Sequence, residues 1–283
     1  MMADLLLHKA NLRAIDLHGF NELGFCRNGP VLYNKHDIYM GGSYRRYGEF
    51  CRYESEQLLA LIGPDDMVIE VGSNMGGHTV ELAKKARGVY AFEPQRLAFQ
   101  LLNANLALQS IINVWAYQQA VGAEHGEIMV PFCTPTVINN TGAVTLDGSL
   151  NVAYCERVPL VRLDDLVTPY DGTPVNPSLI KIDVEGMESE VLSGAIRTIK
   201  RCRPFLYVEN DRREKSEFLI RQIASMEYRL HWHLPALYHP QNFFGNNEEA
   251  WPGCVSVNML CVPMEREFTT DLPEVKGPLD RLF

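Results

Sequence analysis

The apolar positions of this chain fall into two rhythms. Short runs rich in β-branched or aromatic residues, at 67–71, 89–92, 112–117, 179–182 and 205–208, read as buried strands. Between them, apolar residues gather on single helical faces. These are Val80, Ala83 and Ala86 before a stop at Gly88; Leu101, Leu102 and 104–106 within 97–108; and Met187, Val191, Leu192, Ala195, Ile196 and Ile199 after the fourth run. Further helices are expected over 50–62, closed by Gly63-Pro64, and over 213–225. Strands alternating with helices predict one compact α/β domain.

Other stretches are patterned more weakly. The first fifty residues lack a strong period and hold turn signals such as Asn28-Gly29-Pro30 and Gly41-Gly42-Ser43, so residues 1–50 are expected to form an N-terminal lid. Tyr39, Tyr44, Arg45, Arg46 and Tyr47, clustered just before the helix at 50–62, either close over a ligand carboxylate or pack on the sheet's edge. Residues 122–166 read as a β-hairpin insertion with arms at 127–132 and 157–161 and turns at Asn139-Asn140-Thr141-Gly142 and Asp147-Gly148-Ser149. Inserted loops of this kind commonly carry substrate specificity. In a strand at 228–233, His231 and His233 share one face and Trp232 takes the other. The aromatic-rich segment 238–244 suits a loop that stacks on a sugar, and 255–262 is expected to be the edge strand completing the sheet. The tail 264–283 mixes charge, Pro and Gly and reads as a surface extension, which leaves 51–263 as the catalytic domain.

Composition narrows the classes. A chain of 283 residues with 46% hydrophobic positions is ample for one large core. The net charge of -9 argues against nucleic acid as a partner. Seven cysteines without a C-x-x-C pair point to reduced thiols and a cytoplasmic location. Neither a signal peptide nor an apolar run near the ~18 residues of a membrane span is evident.

The candidate chemistry gathers at 67–78, M-V-I-E-V-G-S-N-M-G-G-H, where a strand runs through a glycine turn into a helix. Such a turn aims backbone N–H groups and a helix N-terminus at a ligand. A dinucleotide fingerprint would need glycine where Asn74 stands, so the turn suits a ligand without phosphates, with S-adenosylmethionine the candidate. Glu93 follows Gly72 by 21 residues and stands at a strand end stopped by Pro94, the place from which a carboxylate meets a ribose diol. The bland alternative is that Gly72, Gly76 and Gly77 only turn the chain and Glu93 is a solvated acid. Gln119, at the end of the strand 112–117, is placed to reach an adenine edge or is simply solvated. Asp183 lies at the carboxyl end of 179–182, with Lys181 and Glu185 beside it, residues that are destabilising in a buried strand end unless paired.

With these residues in place the chain resembles the FkbM family of S-adenosylmethionine-dependent methyltransferases. The resemblance rests on V-I-E-V-G-S-N-M-G-G-H-T (68–79), V-Y-A-F-E-P-Q (89–95) and K-I-D-V-E-G-M-E (181–188), and it extends over roughly 39–263. It implies the class I methyltransferase fold, a Rossmann-like seven-stranded, mostly parallel sheet with helices on both faces and an antiparallel strand near one edge. It also implies methyl transfer to oxygen, on hydroxyls of sugars, glycans or polyketide-type metabolites. Cofactor contacts are then expected from Glu70, Gly72, Ser73, Asn74, Gly76, His78, Thr79, Glu93, Pro94, Gln119 and Asp183. Glu70 departs from the family, where many members carry aspartate, and its longer arm puts its contact in doubt. Asp183, Glu209 and His231 are the candidates for handling the proton or orienting the acceptor. Asp183, Glu209 and Asn210 resemble the magnesium ligands of catechol-type O-methyltransferases, unless Glu209 and Asn210 only bond substrate or cap the next helix. An N-methyltransferase, a nicotinamide dehydrogenase and a non-catalytic nucleoside-binding module are the competing readings. The oligomeric state is left open.

Overall fold

A computed structural model describes residues 14–140, 142 and 154–280. The expected turn Asp147-Gly148-Ser149 lies outside them. The first strands, β1 (Ala14–Asp16), β2 (Asn21–Cys26) and β3 (Gly29–Asn34), pair antiparallel in order, and the helices Met40–Tyr47 and Arg52–Ala60 lead from them to the central sheet. Its first three strands are β4 (Met67–Val71), β5 (Gly88–Phe92) and β6 (Val114–Tyr117), joined by the helices Thr79–Lys85 and Arg96–Leu108. A separate small sheet follows, made of β7 (Ala120–Val121), β8 (Gly126–Pro131) and β9 (Cys155–Val161). The chain then returns through β10 (Leu179–Ile182), the short helices Glu188–Ser193 and Ile196–Cys202, β11 (Phe205–Glu209), the helix Arg213–Ser225, β12 (Tyr228–His233) and β13 (Asn258–Pro263).

The central sheet has the order β12-β13-β11-β10-β4-β5-β6. All neighbours are parallel except β13, which runs antiparallel to both β11 and β12. This is the seven-stranded class I methyltransferase arrangement that the resemblance implied. Two apolar clusters cover its faces. Ile69, Phe92, Ile180 and Val208 pack with Val191, Ile199 and Ile223 on one side, and Val68, Val89, Leu179 and Tyr207 pack with Leu58, Leu82 and Leu102 on the other. Burial on both faces explains why β4, β5 and β10 are buried at every position and, but for Glu70 and Lys181, apolar rather than alternating. Each fully buried Val, Ile or Leu contributes roughly 1.5–3 kcal/mol relative to leaving it exposed.

Several expectations need correction. The strand expected at the sheet's edge, β13, is interior; the edge is β12. Its outer side is met by the tail, where the Trp232 N–H donates to the Pro273 carbonyl (2.8 Å) and the Val275 N–H to the Leu230 carbonyl (2.9 Å). The helical face drawn from Met187 to Ile199 is broken into two helices at Gly194, where a Cβ would lie 2.0 Å from the Gly122 carbonyl oxygen. Gly88 begins β5 instead of stopping a helix: the helix already ends at Lys85, where Ala86 is extended, and a Cβ at Gly88 would lie 2.8 Å from Trp115 and 2.9 Å from Met67. The first fifty residues carry a sheet whose strands, N-E-L-G-F-C and G-P-V-L-Y-N, alternate too poorly to be seen. Asn105 ties that sheet to the rest. It accepts from the Leu32 N–H (2.7 Å) and donates to the carbonyls of Leu32 (3.0 Å) and Met75 (2.8 Å).

Candidate active site

The glycine turn is fixed by what lies against it. Gly72 has φ 87°, and a Cβ there would sit 1.7 Å from the Asp183 carbonyl oxygen, so β4 and β10 come together only over a glycine. The N–H groups of Gly72 and Ser73 both donate to the Phe92 carbonyl (2.9 and 3.0 Å). Asn74 takes up a left-handed conformation, φ 48°, that turns its N–H onto Glu93 Oε2 (2.8 Å), while the Gln95 N–H reaches Glu93 Oε1 (2.7 Å). Glu93 is thus clamped between the turn and the residues after β5, and each oxygen keeps a further lone pair for a ligand.

A cavity of about 350 Å³ opens at this point, over the carboxyl ends of β4, β5, β10 and β11. Of the expected residues, Glu70, Gly72, Ser73, Asn74, His78, Glu93, Pro94, Gln119, Asp183 and Glu209 line it. Gly76 and Thr79 stand behind the wall. Gly76 makes room for Leu102, and the Thr79 hydroxyl donates to Glu70 Oε2 (2.5 Å), which settles where the longer Glu70 arm goes.

Beneath the turn lies a buried charge network. Lys181, 1% exposed, donates through Nζ to Asp183 Oδ2 (2.8 Å), with Glu54 Oε1 at 3.9 Å. Burial opposes the Lys181 charge, but Asp183, Glu54 and Glu70 together raise its pKa above the ordinary value. Burial likewise works against an ionised Asp183, and the ammonium more than offsets it, holding that carboxyl below its usual range. Among the described residues no cation is hydrogen-bonded to Glu70 or Glu93, and burial pushes each up to about 7. His78 is held neutral by burial, its pKa lowered to about 3, with Nδ1 3.0 Å from the Ser55 hydroxyl. At the cavity floor, carboxylate oxygens of Asp183, Glu185 and Glu209 lie within 4.8 Å of one another. Burial, then Asp183, pushes Glu185 to about 8, and burial and its acidic neighbours raise Glu209 well above its ordinary value.

Three expectations are not assembled here. Asn210 faces away from the cavity, its buried amide 3.4 Å from Met259 Sδ, because side chains alternate along a strand and Glu209 has the cavity side. His231 lies on the tail side of β12, with Nδ1 3.4 Å from the Leu272 carbonyl and a bridge to Glu274, and does not reach the cavity. His233 is bonded to the Tyr207 hydroxyl (2.7 Å). The aromatic segment expected to meet a sugar grips the N-terminal helix instead. Tyr238 packs edge-on to Tyr47, and a Cβ on Gly48 would touch Phe243 and Phe244. Within the N-terminal Tyr and Arg cluster, Tyr44 and Tyr47 are core residues and Tyr39 alone lines the cavity. The sequence reading also missed the buried Glu54, and it missed Phe50, Asp211, Arg212, Leu237 and Ser256, which line the cavity. Only Arg212, next to the acids that end β11, carried a signal of position.

Known proteins are similar to this chain. A family model described as the methyltransferase FkbM domain matches residues 70–230. The hexuronic acid methyltransferase AglP of Haloferax volcanii is 31% identical over 54% of this chain and 59% of its own length. Methyltransferase 1 of Beauveria bassiana is 26% identical over 46% of this chain and 59% of its own. The chain therefore spans about three fifths of the length of these curated relatives. Among solved structures, the methyltransferase FkbM from Methylobacillus flagellatus aligns over 70% of this chain and 44% of that chain, with 19% identity and a TM-score of 0.48. Matched by its family model over more than half of its length, the chain belongs to the FkbM methyltransferase family.

Proposed function

We propose that the protein transfers a methyl group from S-adenosylmethionine to a hydroxyl oxygen of a sugar, glycan or polyketide-type acceptor. The observation that carries this reading is Glu93, fixed by two backbone N–H groups at the mouth of the same cavity into which Asp183 and Glu209 project. The donor set fits the cofactor: Glu93 for a ribose diol, the Gly72 turn and Glu70 for the amino-acid end, and Gln119 toward the adenine. When bound, the cofactor supplies a sulfonium-activated methyl group.

The chain's own work is alignment and proton handling. Lys181 keeps Asp183 ionised, and about a third of the Asp183 side chain remains exposed to the cavity. An acceptor hydroxyl that donates to it is oriented by that bond and loses its proton along it as the new bond forms. A weak base is enough, because the hydroxyl proton becomes strongly acidic once its oxygen begins to bond carbon. Magnesium fits less well. The expected ligand Asn210 is turned away, and the Lys181 ammonium already occupies Asp183 Oδ2, so no step is assigned to a metal.

The test is incubation with a donor carrying a labelled methyl group and a panel of glycosides and hydroxylated polyketides. Label bonded to oxygen is expected in at least one product. Asp183→Asn should lower kcat by about 10²-fold or more while leaving S-adenosylhomocysteine bound. Label on nitrogen, or undiminished turnover by the variant, contradicts the reading.

A further inference from the structure

A second cavity, of about 130 Å³, adjoins the first. Three modules wall it: Leu32 comes from β3, Leu97 and Leu101 from the helix Arg96–Leu108, Val130 and Phe132 from β8 and its end, with Met75 from the glycine turn. Among the described residues the two cavities share two, Asn74 and Gln95. These are the residues whose N–H groups hold the Glu93 carboxylate, at 2.8 and 2.7 Å. Whatever fills the second cavity therefore touches both arms of the Glu93 clamp. The charged residues described in its lining are matched, since Arg96 donates to Glu156 through three contacts of 2.7, 2.9 and 3.1 Å. Asn34 is committed at both ends, its Nδ2 donating to the Pro135 carbonyl (3.0 Å) and its Oδ1 accepting from the His36 N–H (2.8 Å). Asn21 and Asn74, also in the lining, differ: the carboxamide oxygen of each is buried and has no hydrogen-bond partner among the described residues. A buried acceptor left in that state is destabilising, and a ligand that brings a donor relieves it.

We propose that this cavity is a second ligand site, taking a neutral molecule built on one aromatic ring with a hydroxyl donor, a simple phenol, and that its occupant strengthens cofactor binding by fixing Asn74 and Gln95. Only the coupling rests on the S-adenosylmethionine reading above. Size sets the single ring: an engineered apolar cavity of about 150 Å³ takes one benzene molecule, so this one has room for a ring and little more. The ring loses its water against Leu32, Leu97, Leu101, Val130 and Phe132. A charged ligand would be desolvated against walls whose charges already hold each other. A phenol stays neutral at pH 7, its O–H titrating near ~10, and supplies the donor that the two carboxamide oxygens lack. Coupling follows from the shared residues. An occupant that orders Asn74, which stands in the left-handed region at φ 48°, and Gln95 leaves less ordering for the cofactor to impose on the Glu93 clamp. By linkage the cofactor tightens the phenol by the same factor.

The experiment titrates phenol, anisole, benzoate and benzylammonium into the whole chain saturated with S-adenosylhomocysteine, so that the first cavity is filled. Phenol is expected to bind tenfold or more tighter than benzoate or benzylammonium, and threefold or more tighter than anisole, which lacks the donor. Saturating phenol should tighten S-adenosylhomocysteine threefold or more. Location is read from alkylation by iodoacetamide: phenol should slow it threefold or more at Cys133, which lines the second cavity, and leave Cys202, which lines neither, unchanged. Ala98→Leu, which fills the cavity from the helix, should weaken phenol tenfold or more; the Cys133 readout on the wild-type chain stands whether or not that variant folds. The inference is overturned by no phenol binding, by charged probes or anisole binding as well as phenol, by an unprotected Cys133, or by phenol that leaves S-adenosylhomocysteine affinity unchanged or weakens it. Failure of S-adenosylhomocysteine itself to bind defeats the methyl-transfer reading instead, and Cys133 protection in the ligand-free chain then decides for or against the site.

Discussion

Gly72 and Glu70 show how tightly single residues are constrained here. A methyl group at Gly72 would overlap the Asp183 carbonyl in a conformation, φ 87°, that side chains rarely adopt, so Gly72→Ala is expected to cost about 2–4 kcal/mol and to lower the urea midpoint accordingly. A midpoint within error of wild type would show that β10 can yield. Glu70 makes a prediction in pH. Burial raises its folded pKa to about 7, above an unfolded value near ~4.3, so its contribution to stability is complete below that lower value and is lost as pH rises through about 7. For this one group the loss is on the order of 3–4 kcal/mol, and Glu70→Gln, still able to accept from Thr79, should flatten the fall between about pH 5 and 7 in ligand-free protein. Equal slopes for the two proteins would contradict this. Gly72, Glu93 and Asp183 were legible in the sequence because turns and strand ends leave marks at fixed spacing. Asn210 was misread because proximity to a strand end along the chain says nothing about which side a side chain takes, and His231 because the strand order, which sets β12 at the sheet's edge beyond β13, leaves no mark in the local pattern. Glu54 was invisible because its reason for being buried, Lys181, lies 127 residues further along.

At the level of elements, a buried side chain ties the N-terminal sheet to the central one, next to Gln109, which donates to the Pro30 carbonyl (3.1 Å). Asn105 is buried and satisfies both backbone groups of Leu32 as well as the Met75 carbonyl just after the glycine turn. Replacing it by Leu leaves these groups without partners, at about 1–3 kcal/mol for a buried group so orphaned. Asn105→Leu is therefore expected to lower the melting temperature by several degrees and to speed hydrogen exchange at Leu32 more than at strands β4 or β10. Uniform exchange rates would show the sheet to be anchored elsewhere. The parallel strands and the helix Arg213–Ser225 were readable at nearly their true bounds, since a short β-branched run and a one-sided helix are strong signals. The N-terminal strands were not, because a sheet packed on a helix through a few residues such as Val31 and Tyr33 needs little alternation.

For the whole molecule, the strand order could not be read from local pattern. Nothing within 258–263 says that it inserts between β11 and β12; the resemblance implied an antiparallel strand near an edge, and pairing over distance decides which. The consequence is that β12 is the exposed edge and that 273–275 cover part of it by backbone hydrogen bonds. Deleting residues 264–283 should uncover that edge and produce concentration-dependent association in sedimentation, whereas an unchanged sedimentation profile would show the strand's own charges to be protection enough. The proposed methyl transfer requires S-adenosylmethionine to lie between Gly72 and Glu93. Calorimetric titration with S-adenosylhomocysteine tests this most directly, on the wild-type chain and on Glu93→Gln. Saturable one-to-one binding, weakened about tenfold or more by the variant, is the predicted result; no binding by the wild type, or equal affinity in both proteins, would contradict it.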